Sequence, residues 1–143
     1  MSKELITVVT VCFNAGQTIA KTMQSVLNQT YRPLEYILVD GKSTDNTLNI
    51  IYELEPLFHE KGIAVRIVSE KDKGIFDAMN KGVKLANGRW VNFMNAGDVF
   101  YNALNPQLHS RSATYIKRNG LLIRKITIKS SRPFQCAYHP LTP

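Results

Sequence analysis

The sequence predicts an α/β fold, in which a parallel sheet is covered by helices on both faces. Four short runs of apolar residues, rich in β-branched and aromatic types, alternate with three segments whose apolar residues recur at helical spacing. The connections are short, and this order favours right-handed crossovers between parallel strands. With 143 residues and 44% hydrophobic content, the chain is the size of one domain with one core.

The first predicted strand spans residues 5–12, and its sequence LITVVTVC is almost continuously apolar. Such a run is typical of a strand that is buried on both faces of a sheet. A polar turn at residues 14–16 follows. The next apolar residues fall at i, i+4, i+7 and i+8 on one face of a helix that ends near Asn28. They are Ile19, Met23, Val26 and Leu27.

Residues 34–39, with the sequence LEYILV, form the second predicted strand, which stops at the turn-forming cluster 40–43. Ser43 or Asp45 can cap the helix that follows. Pro56 is expected to kink or end this helix, because proline has no N–H and its ring clashes with the preceding turn. The apolar residues of the second helix are Ile50, Ile51, Leu54, Leu57 and Phe58.

The third predicted strand covers residues 63–68, and the fourth covers residues 89–94. Between them, residues 74–86 have helical spacing, and the Asn-Gly pair at residues 87–88 is typical of a helix end. The apolar stripe predicted for this third helix consists of Phe76, Met79, Val83 and Ala86.

Charge is distributed unevenly along the chain. It has 18 basic and 11 acidic residues, which give a formal net charge of +7. No acidic residue follows Asp98, whereas basic residues continue to Arg132, so the whole excess lies beyond residue 103. We therefore predict a domain over residues 1–103 and a basic, partly irregular tail over residues 104–143, with one candidate strand at residues 120–128.

The two cysteines, Cys12 and Cys136, have neither the number nor the spacing of a disulfide framework or a zinc site. This cysteine content is best matched by a protein that resides in a reducing compartment. No apolar stretch approaches the ~20 residues that a membrane helix needs. We therefore expect a cytoplasmic protein whose membrane contact, if it has any, is peripheral and at the inner face.

Ligands of open parallel sheets bind outside the carboxyl ends of the strands, where the polar residues of this chain also collect. The glycine-rich fingerprints of dinucleotide-binding and P-loop proteins are missing, which argues against both classes. Asp40, at the end of the second strand, is suited to a ribose hydroxyl or a base N–H. Asp98, in a loop with Asn95, could hold Mg²⁺ or Mn²⁺ together with substrate phosphates. At the third helix, Lys73 and Gly74 offer an ammonium group and free N–H groups to an anion.

Three segments together resemble glycosyltransferases of family 2. They read TVVTVCFNAGQTIAKTMQSVLNQTY, EYILVDGKSTDNT and SEKDKGIFDAMNKGVKLANGRWVNFMNAGD. The resemblance covers about residues 5–103 and is greatest to bacterial polysaccharide enzymes of the colanic-acid type. It implies the GT-A (Rossmann-like) fold, here with an incomplete C-terminal half.

The resemblance also implies an activity, which is the inverting transfer of a sugar from a UDP- or GDP-linked donor to a saccharide or lipid-linked acceptor. It implies that Mg²⁺ or Mn²⁺ is bound at Asp98. The strand ends and the resemblance together predict the residues that bind the nucleotide sugar, which are Thr10, Val11, Phe13, Asp40, Gly41, Lys73, Gly74, Asn95 and Asp98.

The sequence departs from the family pattern in three places. The run 95–98, Asn-Ala-Gly-Asp, replaces the commoner Asp-x-Asp, and Met79 stands at a position that is often basic. The family's acidic general base normally comes from a second half, yet no Asp or Glu follows Asp98. His109 and His139 are the titratable substitutes, and the catalytic residue stays unassigned. We hypothesise a truncated, frameshifted or otherwise degenerate product.

Two alternatives to an active transferase stay open. One is a binding-only remnant that retains recognition of a nucleotide sugar. The other is a basic module for nucleic acid or a membrane surface, although the tail has no interleaving of aromatic and basic residues, which disfavours nucleic acid. Self-association through open edge strands is a further expectation.

Overall fold

The computed structural model describes residues 3–100 in full, together with the backbone of two strands at residues 114–118 and 121–124. The predicted order of four strands and three helices is confirmed, and each predicted strand boundary lies within one residue of the observed one. The elements are β1 (Ile6–Cys12), α1 (Ile19–Leu27), β2 (Leu34–Asp40), α2 (Thr47–Glu60), β3 (Ala64–Ser69), α3 (Ile75–Leu85), β4 (Trp90–Phe93), β5 (Thr114–Arg118) and β6 (Leu121–Arg124).

These strands form one sheet in the order β3-β2-β1-β4-β5-β6. The pairs β2–β3, β1–β2 and β1–β4 are parallel, as predicted, whereas β4–β5 and β5–β6 are antiparallel. The strand predicted within residues 120–128 is confirmed by β6, and β5 is an addition that the sequence did not predict. Every residue of β1 and β2 is buried, as expected for central strands.

Helices cover both faces of the sheet, as predicted. Residues Ile6, Val8 and Cys12 of β1 belong to the core cluster under α1 and α2. Their neighbours Val9 and Val11 point the other way and belong to the cluster under α3. The alternation of side chains along one strand thus supplies both halves of the core.

The largest fully buried side chains of the described residues are Tyr36 of β2 and Phe58 of α2. Their ring centroids lie 5.1 Å apart at an interplanar angle of 30°. The Tyr36 hydroxyl lies 2.9 Å from that of Thr10, so its polar atom has a partner inside the core. Burial raises the pKa of Tyr36, which favours the neutral phenol.

Helix α3 approaches β1 closely because residue 82 is glycine. A Cβ atom at Gly82 would lie only 2.3 Å from Cγ1 of Val9. The prediction that Phe76 belongs to the buried stripe of α3 is wrong, since its side chain is 75% exposed. Phe76 precedes the buried Ala78 by two residues, which turns it about 200° around the helix axis from the core-facing side.

Of the two effects expected of Pro56, to kink or to end the second helix, the second is wrong, because α2 continues to Glu60. A proline in a helix leaves the carbonyl four residues earlier without its donor, and here that carbonyl belongs to Tyr52. Both Pro56 and Tyr52 are exposed. Water can therefore hydrate this carbonyl, and the helix continues at a tolerable cost.

The connection from α3 to β4 is fixed by the buried carboxylate of Glu35. It accepts hydrogen bonds from the Thr7 hydroxyl at 2.6 Å and from the backbone and side-chain amides of Asn87 at 2.9 and 2.7 Å. The Thr7 hydroxyl in turn accepts the N–H of Gly88 at 2.9 Å. This network sets where β4 begins, at the sheet edge opposite the strand ends that carry the polar residues.

Several expectations concern residues outside the described ranges. They are the domain boundary near residue 103 and the tail residues His109, Cys136 and His139. The division into two domains stays a prediction, although β5 and β6 show that part of the predicted tail extends the sheet. Among the residues that the structure describes, no helix is long and apolar enough to cross a bilayer.

Candidate functional site

The carboxyl ends of β1, β2 and β3 lie level with one another. Cys12 pairs with Asp40, and Asp40 pairs with Ser69. The loops that follow these strands, together with the loop after β4, therefore meet at one edge of the sheet, as the sequence predicted.

Asp40 joins the ends of these three strands. Its Oδ2 accepts hydrogen bonds from the Ser43 N–H at 3.0 Å and from the Ser69 hydroxyl at 2.7 Å. Its Oδ1 accepts hydrogen bonds from the Ser43 hydroxyl and from the Cys12 thiol at 3.7 Å. The residue is 0% exposed. The structure therefore shows Asp40 fixing the strand ends, and its direct contact with a nucleoside stays a prediction.

The loop after β1 is held by the loop after β2. Asn14 has a left-handed φ of 46°, its N–H donates to the Ser43 hydroxyl at 2.8 Å, and its Oδ1 accepts the Thr44 N–H at 2.8 Å. The next N–H group, that of Ala15, donates to the Thr47 hydroxyl at 2.8 Å. Asn14 is thus a turn-forming residue, which was the favoured interpretation of the sequence.

Asp45 completes this junction, but the prediction that Ser43 or Asp45 caps the second helix is wrong, because the N-cap position of α2 is Asn46 and it makes no side-chain capping hydrogen bond. One carboxylate oxygen accepts the N–H and the hydroxyl of Thr47, and the other accepts the Gly16 N–H at 2.9 Å. The Thr47 hydroxyl, with the help of these backbone N–H groups, holds the pKa of Asp45 below its usual value. The Asp45 carboxylate therefore links the loop after β1 to the start of α2.

The loop between β3 and α3 carries an aspartate that the sequence analysis did not single out as a site residue. Asp72 Oδ1 accepts the N–H of Gly74 at 3.0 Å. Its Oδ2 lies so close to Gly41 that a Cβ atom there would be 2.7 Å away. Only glycine at position 41 allows this approach. Among the described residues, Oδ2 has no hydrogen-bond donor.

The loop after β4 forms a tight turn closed by Asp98. The Asn95 N–H donates to Asp98 Oδ2 at 3.1 Å, and the Asp98 N–H donates back to the Asn95 carbonyl at 2.9 Å. Gly97 has a φ of 102°, a conformation that favours glycine, and its N–H donates to the Thr22 hydroxyl of α1 at 2.8 Å. This turn holds Asp98 at the surface, where it is exposed.

The loops enclose a cavity of about 430 Å³, a volume within the usual range of small-molecule sites. Of the nine predicted site residues, four line it: Val11, Phe13, Gly74 and Asn95. Wall residues outside that prediction include Asp72, Thr18 and Ile75. The position of Asp72 just after the third strand was the signal that could have identified it.

The other predicted site residues do not lie on the cavity wall. Thr10 and Asp40 are 0% exposed. Gly41 is buried beneath Asp72. Lys73 and Asp98 are exposed at the surface.

A divalent cation at Asp98 would have few protein ligands. The described residues contain no group of three or more His, Cys, Asp or Glu side chains that could hold a metal ion. Mg²⁺ and Mn²⁺ are often bound by one or two carboxylates with substrate phosphates supplying the remaining oxygens. One exposed carboxylate beside the Asn95 side of the cavity fits a cation of this kind, shared with a bound diphosphate.

Cys12 is expected to resist alkylation in the folded protein. Burial, followed by the charge and hydrogen bond of Asp40, raises the pKa of its thiol from 9.0 to about 12. The reactive thiolate fraction near pH 8 is then roughly a thousandfold lower than in an open chain. Labelling of a Cys136→Ser variant with iodoacetamide, with and without denaturant, measures this, because Cys12 is then the single thiol. Rapid labelling without denaturant would contradict it.

Comparison with known proteins agrees with this arrangement. The family model described as glycosyl transferase family 2 matches residues 7–110. The chain belongs to glycosyltransferase family 2. A PGL/p-HBAD biosynthesis glycosyltransferase of Mycobacterium bovis BCG is 36% identical over 103 residues, which are 72% of this chain and 39% of the relative. An Escherichia coli UDP-Glc:alpha-D-GlcNAc-diphosphoundecaprenol beta-1,3-glucosyltransferase, WfaP, is 32% identical over 74% of this chain and 41% of its own length.

Solved glycosyltransferase structures share the fold of this family 2 chain. The mannosyltransferase PcManGT of Pyrobaculum calidifontis, in complex with GDP-Man and Mn²⁺, superposes with a TM-score of 0.62 at 24% identity, over 68% of this chain and 28% of that one. Staphylococcus aureus TarS 1-349, in complex with UDP-GlcNAc, superposes with a TM-score of 0.58 at 24% identity. The match covers 66% of this chain and 27% of that one. The GT-A fold is thereby confirmed. The chain spans about two fifths of the length of these curated relatives.

Proposed function

We propose that this chain forms the donor-binding part of a glycosyltransferase that uses a nucleoside-diphosphate sugar. The cavity at the carboxyl ends of the parallel strands carries the proposal, because the loops that follow β1, β3 and β4 line it there. The names of its relatives and structural neighbours, which include UDP-Glc, GDP-Man and UDP-GlcNAc, support a UDP- or GDP-linked donor. The Escherichia coli relative's name supports a lipid-linked saccharide as acceptor.

In this proposal the nucleoside lies between the loops after β1 and β3. Phe13 is 63% exposed and lines the cavity, so its ring offers an apolar face to a base. The open Oδ2 of Asp72 can accept an N–H of the base or a ribose hydroxyl. Asp40 and Gly41 contribute by holding these two loops in register.

The diphosphate is placed at the start of α3 and at the loop after β4. Gly74 precedes the first turn of α3, whose N–H groups and dipole attract anions, and Lys73 adds a positive charge. Asp98, with Asn95, would hold Mg²⁺ or Mn²⁺. When bound, this cation would neutralise charge on the leaving diphosphate.

Metal-dependent nucleotide binding tests the proposal. Calorimetric titration with UDP and with GDP is expected to show binding that Mn²⁺ strengthens. In Asp98→Asn, affinity in Mn²⁺ should fall by at least about tenfold, a loss typical of disturbed metal sites. Asparagine keeps an oxygen that can accept the Asn95 N–H, so the turn survives while the charge is removed.

The exposed Glu53 of α2 provides the control for this test. Glu53→Gln removes the same charge at a distance from the cavity and should bind as the unaltered chain does. The proposal would be abandoned if neither nucleotide bound to the unaltered chain with Mn²⁺ present. If Asp98→Asn and the unaltered chain bound the nucleotide with equal affinity, the assignment of the metal to Asp98 would be wrong.

A binding-only role is the second candidate, and it is favoured by the acid-free sequence after Asp98. An inverting transfer needs a base for the proton of the acceptor hydroxyl. No Asp or Glu follows Asp98, so we assign no catalytic base to this chain. Sugar release from the donor by the purified chain would distinguish an enzyme from a binding protein. The basic-module alternative depends on basic tail residues, of which only Lys117, Arg118 and Arg124 lie in the described strands.

A further inference from the structure

The loop between β3 and α3 is held from outside the cavity by two residues of α3. The Lys81 ammonium donates to the Lys71 carbonyl at 2.9 Å and lies 3.2 Å from Oε1 of Glu70. It also lies 3.5 Å from Oδ2 of Asp77, one helical turn earlier. The same oxygen of Asp77 accepts the Lys73 N–H at 2.9 Å. One ammonium group and one carboxylate thus fix both sides of Asp72.

Lys81 belongs to a network of charges and not to an isolated ion pair. Its side chain is 20% exposed and meets three acceptors from the loop and the helix, whereas the side chains of Glu70 and Asp77 are 56% and 36% exposed. A single exposed ion pair contributes little, and a network that includes a backbone hydrogen bond restrains its members more. The Lys73 N–H also holds the pKa of Asp77 below its usual value, with Lys81 contributing.

Lys81 is not one of the buried residues of α3. The buried residues of that helix are Ala78, Gly82 and Val83. Lys81 also lies outside the cavity wall, whereas Asp72 and Gly74 line it. Loss of the ammonium group would therefore free the loop without removing a ligand contact or a core side chain.

We propose that Lys81 is a positioning residue of the nucleotide-sugar site, holding the loop at residues 70–74 in the form that the donor binds. This inference rests on the proposed function. Without Lys81, the carboxylates of Glu70 and Asp77 lose their shared cation, and the loop gains conformations that binding must then remove. The entropic cost of ordering the loop then makes the binding free energy less favourable and lowers the affinity.

The test compares three variants of the full chain by titration with UDP and GDP in Mn²⁺. Lys81→Met keeps the aliphatic stem and is expected to weaken binding by about fivefold to tenfold, the scale of ordering a few side chains. Lys81→Arg keeps the charge and should recover most of the affinity. Lys84→Met removes an exposed lysine one turn further along α3 and should change nothing.

A second measurement, made without nucleotide, directly detects how Lys81 restrains the loop at residues 70–74. Hydrogen exchange at the Lys73 and Gly74 amides should be faster in Lys81→Met than in the unaltered chain, while exchange in β1 and the thermal unfolding midpoint stay unchanged. Glu70→Gln, which removes a loop-side partner, should shift loop exchange and affinity in the same direction by a smaller factor.

The outcomes separate this inference from the proposed function. Binding by the unaltered chain together with equal binding by Lys81→Met would overturn the positioning role and leave the donor site intact. Absence of binding by the unaltered chain would overturn the proposed function, and the positioning role with it, whatever the loop exchange showed. The positioning role would also be contradicted if Lys81→Met bound the nucleotide more weakly and Lys81→Arg did not restore the affinity.

Discussion

Replacing Asp40 with alanine is expected to lower the free energy of unfolding by about 3 to 5 kcal/mol, since hydrogen bonds to a buried carboxylate contribute about 1.5 to 3 kcal/mol each. Asp40 is 0% exposed and accepts hydrogen bonds from Ser43 and Ser69. Alanine removes the acceptor that these donors share at the ends of three strands. Urea unfolding followed by circular dichroism measures the loss.

An isosteric variant separates charge from shape at this position. Asp40→Asn fills the same space but retains one acceptor oxygen in place of two, so its loss of stability should fall between those of the unaltered chain and Asp40→Ala. Glu53→Ala on the exposed face of α2 is the control and should change stability by less than about 0.5 kcal/mol. A loss below about 1 kcal/mol in Asp40→Ala would show that Asp40 does not hold the strand ends together.

Replacing Phe58 with alanine is expected to cost about 3 to 5 kcal/mol, the usual range for removing a buried phenylalanine. Phe58 is 0% exposed and packs against the Tyr36 ring. Tyr36 is held in turn by its hydrogen bond to Thr10, so it cannot easily move to fill the cavity. Differential scanning calorimetry or chemical denaturation measures the change.

The residue before Phe58 provides the matched control. Leu57 is 39% exposed on the same helix, so Leu57→Ala should cost much less than Phe58→Ala. Phe58→Leu, which keeps most of the buried volume, should recover part of the stability. Equal losses at positions 57 and 58 would mean that α2 does not pack through Phe58.

The strands were predictable from the sequence because burial on both faces has a strong signature. The runs that became β1 and β2 are apolar at nearly every position, and polar turns mark their ends. Errors arose in the helices, where hydrophobicity was taken as burial. Phe76 is apolar but points away from the sheet, and Pro56 is tolerated where the helix faces water.

The site was predictable in location and only partly in detail. The sheet rule places the polar loops at one edge, and Phe13, Gly74 and Asn95 do line the cavity. The rule does not say which carboxylate faces inward. Asp40 is buried and has donors at the ends of β1 and β3 and in the loop after β2, whereas Asp72 lines the cavity and lies close to Gly41. Such pairings join distant segments and leave no local pattern.

Strand β5 was missed for a related reason. Its sequence TYIKR is five residues long and contains two basic residues, so it has no continuous apolar run. It is a strand because β4 offers it a partner, with antiparallel pairing from Trp90 to Asn92. Pairing of this kind depends on the assembled sheet and is therefore weakly encoded in the strand itself.

The hydrogen bonds from the loop after β1 to the loop after β2 have a consequence for how the protein folds. Asn14, Ala15 and Gly16 each bond to a residue 29 to 32 positions away. Contacts of such long range form only after the chain between them has closed, which makes them late steps in folding. The binding edge therefore exists only in the assembled domain. A donor that occupies it stabilises the entire native state relative to the unfolded chain, by mass action.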